Sequence, residues 1–393
     1  MTPCIEARFL ARKAIFDKAG GDISVLTKKK LFVLFIILVI FCGYTLAETP
    51  LILSLLDTKI FAKPIRAEVV LKIGSDKMNE DFYKLRSFTV DKKGQIYILD
   101  AGNSRIQCFS KEGKFLFSFG RLGQGPGELS NNASKIKILS DGNIYVIDNL
   151  KRRINVYNLE GKFLFSGNTS VYYNDIELLD NTYYLSSIIL EENYKPIHIS
   201  RTLGKIDADF GIFVEPAVGL LQQISRLPFP QPWRYSYSDS NFTKLVVTNT
   251  NEIIFSQDFP YRLIKYDTKG QVLKDIMGDV DFDTYAHVKI TVRKDSSVFS
   301  SSSKPARILD VSIKNDNLVV VSYLDPKKNF FYIDIYDLDL NLISRYKMPN
   351  MIANARKEEY IGQLMVDNDN NLYATVISRE NNPQLVKYKL IFD

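Results

Sequence analysis

Only two histidines, His198 and His287, stand among 393 residues, so chemistry built on imidazole has few parts to work with. No HExxH, nucleophile elbow or metal-spaced cysteine pair occurs. His198, in PIHIS, has the setting of a strand residue, and His287 lies in a linker, DVDFDTYAHVKITV. Asp100 and Asp148 close the runs YILD and YVID. The ordinary use of an Asp there is to accept N–H bonds from the turn that follows. Metal binding or catalysis would need several such carboxylates to converge. Arg105, Arg153 and Arg262 recur in the pattern R-[IL]-x-x-[FY], which reads as a strand-to-strand brace. Asp279, Asp281 and Asp283 lack the central Gly and distal Glu of a calcium loop and read as a solvated linker.

The segment LPFPQPWRYSYSDSNF, residues 227–242, is the best binding candidate, because it holds the chain's one Trp among three prolines. The prolines stiffen it, while Trp233, Arg234, Tyr235 and Tyr237 offer stacking faces and donors of the kind that dominate binding hot spots. A loop folded down as a channel plug is the competing reading. The glycine-rich FGRLGQGPGEL, 119–129, fits neither the P-loop spacing nor G-x-G-x-x-G. It reads as a connection between strands.

These residues sit on a repeat. Gly94 and Gly142, Asp100 and Asp148, Arg105 and Arg153, and Gly113 and Gly161 are each 48 residues apart. Within each unit apolar residues alternate in short runs broken by DKKG, LSDG, SKEG and NLEG, so a unit reads as four short antiparallel strands. Fainter copies fill 175–207, 244–276, 306–344 and 362–393, giving six. A four-strand unit at this period implies propeller blades. The last unit stops after its third strand, and AEVVLKIGSDKMNEDF, 67–82, echoes the outer strand FLFSFG with its exit loop. The amino-terminal strand is therefore expected to complete the last blade and close the ring. The serine-rich RKDSSVFSSSSKPAR, 293–307, reads as an inserted loop.

The run VDKKGQIYILDAGNSRIQCFSKEGKFLFSFGRLGQGPGEL resembles an NHL repeat of the six-bladed β-propeller superfamily. It carries the inner-strand Asp, the turn Gly, the aromatic-x-x-Asp strand end, the Asn-x-Arg-Ile step and a GPGE linker. The second blade keeps most of this, with Leu150-Lys151-Arg152 in place of the usual Gly-Asn-polar run, and the later blades keep mainly the spacing. The resemblance implies an all-β chain, one six-bladed propeller of four-stranded antiparallel blades; the closing N-terminal strand and the hydrophobic helix expected before it are read from residues 67–82 and 31–47 themselves. Its relatives include scaffolds, ligand binders, RNA binders, lyases and lactonases, so the fold alone assigns no role.

At the amino terminus Lys28-Lys29-Lys30 precedes LFVLFIILVIFC, 31–42. The domain plan is a basic cytoplasmic leader over 1–30, a signal peptide or transmembrane anchor over 31–47, a linker over 48–64 and the propeller over 65–393. Thr45-Leu46-Ala47 offers a cleavage site, and the lysines place the leader in the cytoplasm. The propeller is then extracytoplasmic: membrane-anchored if 31–47 stays, periplasmic or secreted if it is removed.

The formal charge of +6 does not advertise nucleic acid, because residues 65–393 hold 42 Lys/Arg against 40 Asp/Glu. Cys4, Cys42 and Cys108 are too scattered for a disulfide framework, and Cys108 reads as a small core residue. The reading is a monomeric, non-enzymatic recognition scaffold without a cofactor, binding a protein, peptide or glycan. The alternative is a lyase or lactonase-like enzyme with calcium or zinc in the central channel.

Overall fold

The computed structural model describes residues 62–74, 81–187, 195–212, 243–257, 261–277, 288–293, 296–301, 307–325, 330–349, 360–377 and 382–392. The leader, residues 31–47, His287, the acidic run 279–283 and the segment 227–242 lie outside them. Among the described residues no helix is long and apolar enough to cross a membrane.

Turn glycines set the strand lengths. Gly94, Gly113, Gly142 and Gly161 take φ of 78 to 84°, and each donates its N–H to the carbonyl three residues back, closing a tight turn. The strands between them form six blades. Blade one is β2 (Leu85–Val90), β3 (Ile96–Asp100), β4 (Arg105–Phe109) and β5 (Phe115–Phe119). Blade two is β6 (Lys135–Ile138) to β9 (Phe163–Asn168), and blade three is β10 (Tyr173–Leu179) to β13 (Ala208–Phe210). Blade four runs from β14 (Thr243–Val247) to β17 (Val272–Met277), and blade five from β20 (Arg307–Lys314) to β23 (Leu342–Pro349).

The sixth blade has only three strands of its own, β24 (Tyr360–Val366), β25 (Asn371–Ile377) and β26 (Gln384–Phe392). Its fourth is β1 (Lys63–Ile73), antiparallel to β26 from Ile65↔Phe392 to Ile73↔Leu385. The expected closure is present. At its start β1 also pairs in parallel with β23, Lys63↔Tyr346, and so stitches blade five to blade six. One difference concerns the serine-rich insertion: β18 (Val288–Arg293) and β19 (Ser296–Ser301) pair as a hairpin. The alternating VKITV upstream supplies a partner strand for residues that would otherwise read as a loop.

Alternating apolar residues put a face of each blade against its neighbour, and the core is accordingly divided into six clusters, one per blade interface. Tyr97, Leu99 and Cys108 of blade one pack on Ile136, Ile144 and Val146 of blade two. The series runs round to Tyr373 and Leu385 of blade six against Phe88, Ile96 and Ile98 of blade one. The first strands β2, β6, β10, β14, β20 and β24 contact one another in that cyclic order and line the axis. Cys108 is fully buried, as expected of a core residue, and burial pushes its thiol up to about 11.

Candidate functional site

The glycine-rich connection does hold an anion, but its own. Glu128 turns its carboxylate back into the loop, where Oε2 accepts from Gly125 N–H at 2.7 Å and Oε1 from Arg121 Nε at 2.8 Å. Arg153 reaches in from blade two and donates to the carbonyls of Gly125 and Glu128 at 3.1 and 3.0 Å. Gly127 has φ of 69°, and a Cβ there would lie 2.9 Å from the Phe163 side chain. The segment is a fastened link between blades one and two.

The other residues singled out by type are also structural. Asp100 accepts from Tyr83 and Lys84 N–H, each at 3.1 Å, and from Asn103 and Arg105 side chains at 2.7 and 3.1 Å. Its backbone donors therefore come from the connection before the blade, not from the turn that follows. Asp148 does both, taking Ser130 N–H at 2.7 Å and Lys151 N–H at 3.3 Å. Arg262 pairs across its hairpin with Asp275. His198 is buried, with Nδ1 3.1 Å from the Tyr173 hydroxyl, and burial lowers its pKa. None of these side chains is among those that line the cavity on the axis.

An open space lies on the axis. A cavity of about 290 Å³ is lined by all six first strands. In each of these strands one residue directly precedes the buried apolar residue, Phe88, Ile136, Ile176, Leu245, Val311 or Leu364. Those preceding residues are Ser87, Lys135, Asp175, Lys244, Asp310 and Gln363, one per blade. Two positions further on come Thr89, Lys137, Glu177, Val246, Ser312 and Met365, on the same side of each strand because side chains alternate. In blades one, three and five a register shift falls just before the first of these two rings, and in blade six it spans the ring residue Gln363. Such bulges re-aim the side chains that follow them.

Part of the inner ring stitches blades together. First strands have no inner neighbour, so their N–H groups need other acceptors. Ser87 Oγ accepts from Ile136 N at 3.2 Å, Asp175 Oδ2 from Leu245 N at 3.1 Å, and Gln363 Oε1 from Phe88 N at 3.0 Å. Each links one blade to the next.

The charged part is balanced, with Lys135, Lys137 and Lys244 against Asp175, Glu177 and Asp310. Lys137 Nζ is 2.8 Å from Glu177, 3.1 Å from Asp175 and 3.2 Å from the Leu245 carbonyl. Burial opposes its charge, but the two carboxylates outweigh burial and hold it above the ordinary lysine range. Burial likewise works against ionised Asp175, yet Lys137 and Lys135 keep its carboxyl below the usual range. Lys135 is less well served, 3.9 Å from Asp175, and burial lowers its pKa.

Asp310 is the exception in the ring. It is 7% exposed, its Oδ2 has no hydrogen-bond partner among the described residues, and burial pushes it up to about 6 against the pull of Lys244, Lys135 and Lys137. The Ser312 hydroxyl beside it is also unpartnered.

Among the described residues no three His, Cys, Asp or Glu side chains are grouped to hold a metal ion. The channel carboxylates each have a lysine in electrostatic reach, a donor set that repels a divalent cation. The described channel residues do not fit the calcium or zinc of a lactonase-like centre. The segment with Trp233, Arg234, Tyr235 and Tyr237 is outside the described residues; the sequence reading placed only its alternative in the channel and named none of the residues that line it. The signal was there: a polar residue before the apolar one in the first strand of every unit.

Residues 82–212 match a family model described as 6-bladed beta-propeller, DUF5128. The protein is a six-bladed β-propeller. A member of the DUF4221 family from Bacteroides vulgatus aligns over 85% of this chain and 100% of its own, at 13% identity and a TM-score of 0.55. A candidate exported protein from Bacteroides fragilis aligns over 83% and 96%, at 13% identity and 0.51. At such identities the likeness establishes the propeller fold alone. Virginiamycin B lyase from Staphylococcus aureus, at 13% identity over 83% and 100% of the chains, has a TM-score of 0.45, too slight to argue from. No curated protein matches the sequence.

Proposed function

We propose that this protein is a monomeric recognition propeller, acting outside the cytoplasm and binding without chemistry. Its ligand is a small polar molecule, or the end of a peptide or glycan, received in the central channel. The observation that carries this reading is Asp310: a buried carboxylate with an unpartnered oxygen, facing a cavity of about 290 Å³. Buried polar groups are almost always satisfied in a fold, and one left open beside lysines and a hydroxyl is what a polar ligand completes. The basic leader and the apolar run 31–42 support export, and the Bacteroides fragilis propeller that is a candidate exported protein is in keeping with it. The near-neutral body gives a nucleic acid no field to follow.

The test uses the full-length chain in mild detergent and a panel of amino acids, dipeptides, monosaccharides and short glycans. At least one compound is expected to raise the melting temperature of the wild type and not of Ser312→Trp, whose added ring fills the channel. That compound is recovered chemically unchanged. If no compound distinguishes the two proteins, the channel is not a binding site, and if one is consumed, the protein is an enzyme. Replacing Trp233 and Tyr235 with Ala tests the aromatic segment. Weaker binding with an unchanged circular dichroism spectrum places it in recognition, and unchanged binding removes it.

A further inference from the structure

We propose that the channel selects a zwitterion, a small molecule carrying an ammonium and a singly charged anionic group a few bonds apart, such as an amino acid or short peptide. This rests on the channel-binding reading and adds the ligand's charge pattern.

The six charged side chains of the channel cancel, so the question is which are left unsatisfied. Lys137 is saturated by Asp175, Glu177 and the Leu245 carbonyl. Asp175 is committed to Lys137 and to the Ile176 and Leu245 N–H groups at 3.0 and 3.1 Å. Two groups stand out. Asp310 keeps an unpartnered Oδ2, and the 3.9 Å approach of Lys135 to Asp175 is too long for a hydrogen bond. One is an acceptor awaiting a donor, the other a donor awaiting an acceptor, and both line the same cavity.

Electrostatics then excludes the simple ions. A lone cation at Asp310 meets Lys244 of blade four and Lys135 and Lys137 of blade two; a lone anion at Lys135 meets Asp175, Glu177 and Asp310. Only a ligand bringing both charges satisfies both groups and leaves the channel neutral. An ammonium on Asp310 and a carboxylate on Lys135 each form a charge-assisted hydrogen bond in a low-dielectric setting, where such bonds are strongest. Size agrees. At about 30 Å³ per water the cavity displaces roughly ten waters, which suits an amino acid or dipeptide better than an oligosaccharide.

Acidity supplies an independent handle. The groups facing Asp310 are Lys244 on β14, Lys135 and Lys137 on β6, Asp175 on β10 and Ser312 on its own strand. Asp310 sits at about 6 because burial outweighs the three lysines, so mild acidification removes the charge an ammonium needs.

Isothermal titration of the full-length chain at neutral pH, with glycylglycine, L-alanine, methylammonium, acetate and succinate, tests the proposal. At least one zwitterion is expected to bind with one site per chain, at least tenfold tighter than methylammonium, acetate or succinate. Asp310→Asn and Lys135→Met should each weaken it at least tenfold, and wild-type affinity should fall between pH 7.5 and pH 5. Acetate or succinate binding as tightly as the zwitterions, or an Asp310→Asn protein with unchanged affinity, overturns the proposal. If only succinate binds and both substitutions abolish it, the channel reading stands and the zwitterion falls. If no zwitterion binds, this proposal falls alone, and the Ser312→Trp comparison decides the channel.

Discussion

Replacing Asp310 with Asn should make the unliganded protein more stable, by an amount that depends on pH. The structure holds this carboxyl at about 6 instead of the ordinary 3.8, burial outweighing three nearby lysines. A carboxyl raised on folding contributes stability below its unfolded value and loses it as pH rises through the folded one. At about 1.36 kcal/mol per unit, the ionised group costs the fold roughly 3 kcal/mol at pH 8. Acidifying from pH 8 to pH 5 recovers about 1.4 kcal/mol of that through Asp310 alone. Asn at this place is neutral throughout. Urea unfolding followed by far-ultraviolet circular dichroism at the two pH values measures both quantities. Asp310→Asn is expected to be the more stable protein at pH 8, with the gap narrowing by about half at pH 5. A variant less stable at pH 8, or a gap that ignores pH, would show that the carboxylate is already compensated and refute the reasoning. The expected gain has the form of a stability cost borne by a functional site.

Other parts of the ring give sharper losses. Arg345 donates to the fully buried Asp334 at 2.7 and 2.9 Å, so Arg345→Met removes the cation that balances this carboxylate, to which Tyr261 also donates at 3.1 Å, and should cost about 3–5 kcal/mol in urea unfolding. Ile65, 1% exposed in the closing strand, should cost about 2–5 kcal/mol as Ala, with faster amide exchange along both β1 and β26. His198 is kept neutral by burial, so its contribution is present above the ordinary 6.5 and lost as pH falls below it. Exchange in β12 (Ile197–Ser200) should therefore quicken on acidification, and His198→Gln should flatten that response.

The blades were legible because tight turns leave hard marks. Gly94 and Gly142 take a backbone conformation that disfavours side chains, and their 48-residue spacing exposes the unit even where strand residues drift. Closure by the amino terminus was legible for a related reason, since AEVVLKIG repeats the outer-strand pattern that the last unit lacks. The channel was not legible by residue type. Lys135 and Lys137 in KIKI look like the solvent phase of a half-buried strand, and a period of two cannot tell an axis from an outer surface. Asp310 sits in a blade without turn glycines, and blade four of Lys244 keeps Gly270 but has Asn251 at its first turn, so these two could be aligned with Lys135 and Asp175 only once the inner strands were in place. The attention drawn to Asp100 and Arg105 has the opposite explanation: their recurrence in Asp148, Arg153 and Arg262 marks braces that several blades share, while the channel ring differs from blade to blade.

Hydrogen exchange of the full-length chain, with and without a saturating mixture of amino acids and dipeptides, tests the central claim most directly. Slowed exchange is expected only in the first strands, above all β6, β10, β14 and β20 around the charged ring. Protection on the outer strands or over 227–242, with those four strands unchanged, would contradict it.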